Sequence, residues 1–193
     1  VQKNLIEGAV LVIAVLFLFL GNLRAALLTA MVIPLALFAT FTGMVQGGVS
    51  GNLMSLGALD FGLIVDGALI VVENCMLRLA EAQHGRDGPL PRGERFEVVF
   101  NATREVFRPS LVSVVVIVLV NLPIFALTGV EGKMFHPMAF AVIAALVGAL
   151  ILSVTFVPAA CALLLSGKIK EKDNFIVAWA RRAYEPMLMA VLR

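Results

Sequence analysis

The run "LDFGLIVDGALIVVEN" (residues 59–74) is apolar except for three acids, Asp60, Asp66 and Glu73, and no basic residue stands beside them. A carboxyl group takes up and releases a proton, and burial eases this near neutral pH by disfavouring the charged form. On a helix rising ~1.5 Å per residue, Asp60 and Asp66 lie ~9 Å apart along the axis, and Asp66 and Glu73 ~10 Å. Seven residues are nearly two turns, so Asp66 and Glu73 share a face. Asp60 points about 120° away, with Asn74 close to its side. Carboxylates graded in depth along one helix suit a proton relay. The plainer alternative is structural, each acid being hydrogen-bonded to another helix or paired with a base. Gly57, Gly62 and Gly67 recur every five residues on the same helix. Small residues let helices approach closely and would seal the acids from their surroundings, or they supply flexibility; both uses fit.

What surrounds that helix decides between these readings. Of 193 residues, 61% are hydrophobic and only 15% charged, with a mean hydropathy of +1.00. Soluble domains carry about a quarter charged residues, so this composition is that of a polytopic membrane protein. Five stretches approach the ~20 residues that cross a bilayer as a helix: Leu5 to Leu20, Ala25 to Val45, Leu53 to Leu77, Pro109 to Thr128, and Pro137 to Leu165. Pro109 suits a helix start, and Pro158 predicts a kink in the fifth stretch. The segment before Pro109, "GERFEVVFNATREVF", reads as a separate short amphipathic helix.

Of the 15 basic residues, all but Lys3 and Lys133 fall on one side when the loops are numbered alternately. Cytoplasmic loops carry that excess, so the third stretch descends from the outer surface to Arg78 in the cytoplasm. The expected fold is therefore all-α, a polytopic membrane helix bundle of five spanning helices plus a cytoplasmic-side amphipathic helix. Residues 1–167 form the bundle, with a cytoplasmic loop at 79–108. Residues 168–186, which hold the chain's Trp and Tyr, form the interfacial helix, the alternative being an ordinary soluble connecting helix. Residues 187–193 begin a further apolar segment, and the chain is expected to be a piece of a larger protein.

In that setting the acids carry weight. An Asp near the bilayer centre costs about 2.5–3.5 kcal/mol even on the lenient insertion scale, so such residues face an interior and are functional by default. No Lys or Arg lies at membrane depth, so a charge partner must come from elsewhere. A net charge of +2 with no basic stripe excludes nucleic acid as a partner. Cys75 and Cys161 match no metal or redox motif and read as inert buried thiols. His136 reads as a loop residue, and the scattered methionines as packing. "DFG" lacks the phosphate loop that would make it a nucleotide site.

With these residues in place, "GLIVDGALIVVEN" resembles the fourth transmembrane helix of the resistance–nodulation–division (RND) efflux superfamily, whose acidic motif followed by "VEN" carries the proton. The multidrug branch usually has two adjacent Asp there. Here Asp66 is followed by Gly67, and Asp60 is added in "DFG", which is similar to the heavy-metal efflux branch, above all its divalent-cation exporters. "RPSLVSVVVIVLVNLPIF", "GVEGKMFHPMA" and "VPAACALLL" resemble the next two helices and their outer loop. The resemblance implies a secondary active transporter rather than an enzyme, in the bacterial inner membrane. Asp60, Asp66 and Glu73 would be its proton relay, with Asn74, Gly62 and Gly67 in support. It implies neither a cofactor nor a resident metal site in these residues; zinc, cobalt, cadmium or nickel would be cargo. It further implies a homotrimer of a longer chain, working with a periplasmic adaptor and an outer-membrane channel. A multidrug pump is the nearest rival. An intramembrane aspartyl protease is remote, because Asp60 and Asp66 on one helix point apart and cannot share a proton. A membrane scaffold that transports nothing would leave the buried acids expensive without purpose.

Overall fold

The computed structural model describes residues 2–51, 61–84, 88, 90–165 and 184, and each element among them is a helix. In chain order these are α1 (Gln2–Leu20), α2 (Leu23–Gln46), α3 (Phe61–Gln83), α4 (Arg92–Asn121), a 3-10 turn (Leu122–Ala126), α5 (Gly129–Val154) and α6 (Phe156–Leu164). Asp60, Gly57, the predicted interfacial helix apart from Tyr184, and residues 187–193 lie outside the described residues. Among the described residues, three helical stretches are long and apolar enough to cross a membrane: Leu23–Gln46, Arg92–Ala126 and Gly129–Leu164. The first predicted span is α1, whose apolar part is the shorter Val10–Leu20. The third is α3, described from Phe61 onward.

Local chemistry sets the helix boundaries. Gly21 takes φ +60°, open to glycine at little cost. Asn22 then caps α2, its Oδ1 accepting from the Arg24 amide at 3.0 Å. Two residues thus reverse the chain between α1 and α2. Inside the helices, hydroxyls satisfy themselves on the preceding turn: Thr29 Oγ1 donates to the Ala25 carbonyl at 2.9 Å and Thr40 Oγ1 to Ala36 at 2.8 Å. An apolar setting demands this internal satisfaction.

Three expectations need correction. The amphipathic segment and the fourth span are one continuous 30-residue helix, α4, with Pro109 inside it rather than at a start. Proline already has a helical φ, and its cost is the lost bond to the Glu105 carbonyl and the crowding of its ring there. Pro109 lies on an exposed face, where no neighbouring helix adds to that crowding. Likewise α5 begins at Gly129, not at Pro137, so the predicted outer loop "GVEGKMFHPMA" is helical. His136 is therefore a half-buried helix residue, its ring 5.6 Å from that of Phe125, and not a loop residue. The expected break at Pro158 is present, three residues upstream of the proline. The ring excludes the carbonyl of residue i−4, which is Val154, the last residue of α5. Thr155 bridges the gap, its amide and hydroxyl both donating to the Ile151 carbonyl at 3.0 and 2.7 Å.

The helices assemble around α3, which packs against α1, α2, α4, α5 and α6. It contributes to three apolar clusters. Ala68, Val71, Val72, Cys75 and Leu79 join Leu28, Val99, Ala102 and Val157. Ile64 joins Ala36, Ala141, Ala145 and Ala149, and Val65 joins Leu16, Ala26 and Ile33. The helix with the acids is the hub of the bundle.

Candidate functional site

Along α3 the buried residues fall on one side, while Leu63, Asp66, Ile70, Glu73 and Leu77 form an exposed stripe at alternating steps of three and four. The structure therefore brings Asp66 and Glu73 onto one face, as their spacing requires. It does not point them into the bundle of this chain. Of the two uses the glycines allow, the described residues show no sealing of the acids from within this chain. The five neighbouring helices pack on the other sides of α3 and leave the acid stripe uncovered. Gly62 is exposed beside it. Gly67 faces α5, where an added Cβ would meet Ser153 Oγ at 3.9 Å, an ordinary contact.

Asn74, the third supporting residue, faces α4. Its Nδ2 donates to the Ala102 carbonyl at 2.7 Å and to Glu105 Oε2 at 3.1 Å. One turn further along α3, Arg78 Nε donates to the same Glu105 oxygen at 3.0 Å, and another of its guanidinium nitrogens to Glu81 Oε2 at 2.9 Å. Between them Cys75 Sγ lies 3.9 Å from the Val99 carbonyl and 3.8 Å from Thr103 Oγ1. Glu105 stands four residues before the apolar part of α4, in the polar segment. The Asn74 amide and then the Arg78 guanidinium hold its carboxyl below the usual carboxylate range. Glu81 and Glu105 push Arg78 up in turn.

Sequence reasoning missed this grip, because Glu105 lies 31 residues from Asn74 and no motif joins them. It also missed that the two cysteines come together in one cluster: Cys75 on α3 and Cys161 on α6 are fully buried in the same apolar core. Among the described residues, no three His, Cys, Asp or Glu side chains gather where they could hold a metal ion.

Apolar helices long enough to cross a membrane, packed around a hub helix that bears Asp66 and Glu73, form a membrane-type helix bundle. Residues 1–193 match the profile of the AcrB/AcrD/AcrF family, and the chain belongs to that family of RND transporters. It is 63% identical over 188 residues to the cobalt-zinc-cadmium resistance protein CzcA of Cupriavidus metallidurans, covering 97% of this chain and 18% of that protein. The nickel-cobalt-cadmium resistance protein NccA of Alcaligenes xylosoxydans xylosoxydans is 51% identical over the same shares. The cation efflux system protein CusA of Escherichia coli K12 is 36% identical over 98% of this chain and 18% of its own length. A crystallised heavy-metal efflux pump superposes with a TM-score of 0.70 at 40% identity, over 84% of this chain and 15% of that one. The chain thus spans under a fifth of the length of these relatives.

Proposed function

We propose that this segment is the proton-carrying part of an inner-membrane pump that exports divalent heavy-metal cations by proton antiport. The observation that carries the reading is the pairing of Asp66 and Glu73 on one uncovered stripe of the hub helix. There each can exchange protons, and a group from outside these residues can approach. Protons would enter from the outer side near Asp60, pass to Asp66 and leave beyond Glu73 toward the cytoplasm. One proton moving down 100 mV releases about 2.3 kcal/mol. Neutralising Asp66 removes a charge that is costly at that depth, and so changes what the hub helix prefers to pack against. The relatives named for cobalt, zinc, cadmium and nickel support such a cation as cargo. The same reading makes the working pump a homotrimer of the longer chain, joined to a periplasmic adaptor and an outer-membrane channel.

The test places the full-length parent in proteoliposomes with an imposed pH gradient and a zinc-sensitive dye. The expected result is zinc flux that needs the gradient and is lost in Asp66→Asn. Flux unchanged by Asp66→Asn would sink the proton path. Absence of metal flux beside transport of organic dyes would assign the parent to drug export.

A further inference from the structure

Arg95 is the one buried cation among the described residues: 5% of its surface is exposed, and its Nε is buried without a hydrogen-bond partner. Its guanidinium enters no ion pair and no side-chain hydrogen bond among the described residues. A buried charge left unpaired is strongly unfavourable, and the fork of a guanidinium matches the oxygens of a phosphate.

The start of α4, where Arg95 stands, can receive such an anion. Pro91 precedes the helix and gives no side-chain cap, so the first-turn amides keep their partial positive charge. Arg92 is exposed three residues before Arg95, on the same face. Between them a Cβ on Gly93 would meet nothing within 4 Å, so this turn is open. Helical side chains lean toward the helix start, which carries the Arg95 guanidinium back over the open turn. The acids nearby lie elsewhere. Glu94 and Glu97 are exposed and turned about 100° and 160° from Arg95 around the helix, and Glu81 is paired with Arg78.

Depth points to the source of the anion. Across the antiparallel α3–α4 pair, Asn74 meets Ala102 and Glu105, and Cys75 meets Val99 and Thr103. Carried on, that register sets Arg95 beside residues 80–83 of α3, ~3–7 Å past Arg78. Arg78 is the first basic residue after the apolar run of α3, and a headgroup layer ~5–7 Å deep flanks the hydrocarbon of a bilayer. Arg95 thus falls at headgroup level.

We propose that Arg95, Arg92 and the uncapped first turn of α4 form a phosphate site, which takes the headgroup phosphate of an anionic lipid. Free phosphate shares that chemistry, and the test separates the two. The site stands apart from the proton path and does not depend on it.

The full-length parent, stripped of lipid in a maltoside detergent, is titrated with phosphatidylglycerol, with diacylglycerol of the same chains, and with inorganic phosphate. Native mass spectrometry counts bound lipid, and hydrogen exchange reads the first-turn amides of α4. Expected is phosphatidylglycerol binding that slows exchange there. It should weaken about tenfold or more in Arg95→Gln, which loses a charge-assisted hydrogen bond, and roughly two- to fivefold in Arg92→Gln, an exposed contact. Inorganic phosphate that leaves those amides unprotected makes lipid the source, and equal protection by it makes the source free phosphate; either outcome keeps the site. Diacylglycerol binding as well as phosphatidylglycerol would overturn the proposal, as would phosphatidylglycerol binding alike in wild type and both variants. So would first-turn amides already protected with no lipid bound, since a group of the parent chain would then fill the site. Should Arg95→Gln lose protection throughout α3 and α4, as a misfolded variant would, Arg92→Gln decides, and affinity equal to wild type overturns the site.

Discussion

Two glycines on neighbouring helices should respond to the same substitution with opposite signs. Gly148 of α5 lies against α2, where an added Cβ would stand 3.1 Å from Ala39 Cβ and 3.9 Å from the Ala36 carbonyl. Carbon atoms settle at ~3.5–4.0 Å, so Gly148→Ala forces the two helices apart by roughly 0.5 Å. Overpacking of this kind costs ~1–3 kcal/mol, while alanine regains about 0.8–1.0 kcal/mol over glycine in a helix. The net effect is a loss on the order of 1 kcal/mol. At Gly67 the nearest atom would be Ser153 Oγ at 3.9 Å, so only the propensity gain remains, up to ~1 kcal/mol. Hydrogen exchange followed by mass spectrometry on the full-length parent reads local opening directly. With tenfold in rate for every 1.4 kcal/mol, amides of α2 and α5 should exchange about fivefold faster in Gly148→Ala, and those of α3 up to about fivefold slower in Gly67→Ala. Adding Ala39→Gly to Gly148→Ala should restore much of the protection, since it removes the opposing methyl. Equal signs at the two glycines, or no relief from Ala39→Gly, would refute the account of the α2–α5 seam.

Cys75 of α3 and Cys161 of α6, buried in one cluster, should be linked in the parent by a mild thiol oxidant. After proteolytic cleavage between residues 84 and 90, the fragments should stay joined on a non-reducing gel, and Cys161→Ser should separate them; separation with both cysteines present would show that the two thiols do not lie side by side. Leu79, fully buried in the cluster that also holds Leu90 and Val99, should cost about 2–5 kcal/mol on truncation to Ala. It should appear as accelerated exchange at the polar end of α3 and α4, and exchange at wild-type rates would contradict its burial.

Composition alone made the chain a membrane helix bundle, because an excess of apolar over charged residues leaves no other solvent for it. The shared face of Asp66 and Glu73 was equally legible, since helical periodicity is fixed by backbone geometry whatever packs around it. The errors came where proline was taken for a boundary. Pro109 and Pro137 both sit inside helices, where proline's φ is helical and the loss is local, while Pro158 does end a helix by displacing the Val154 carbonyl. Sequence cannot separate these cases, because the outcome depends on what surrounds the freed carbonyl. The direction of the acid stripe was also illegible. Periodicity says which residues share a face, not which face the neighbours cover. The joining of Asn74 and Arg78 to Glu105, and the burial of Cys75 and Cys161 in one cluster, needed the helices to be placed side by side.

The polar end of α3 is fixed to α4, and this bears on how a charge change at Asp66 would act. There Asn74, Cys75 and Arg78 meet Ala102, Val99 and Glu105 of α4 through directional contacts, which set both the rotation and the height of the helix. Around Asp66 the helix is packed on three sides: Ile64 against Ala36, Ala145 and Ala149, Val65 against Leu16, Ala26 and Ile33, and Ala68 in the cluster that holds Val72 and Val157. Interiors so packed repack between discrete arrangements rather than deform smoothly. Under the proton-path reading, a proton gained or lost at Asp66 therefore acts on a helix whose exit end is already fixed, and any repacking must start from that anchored end.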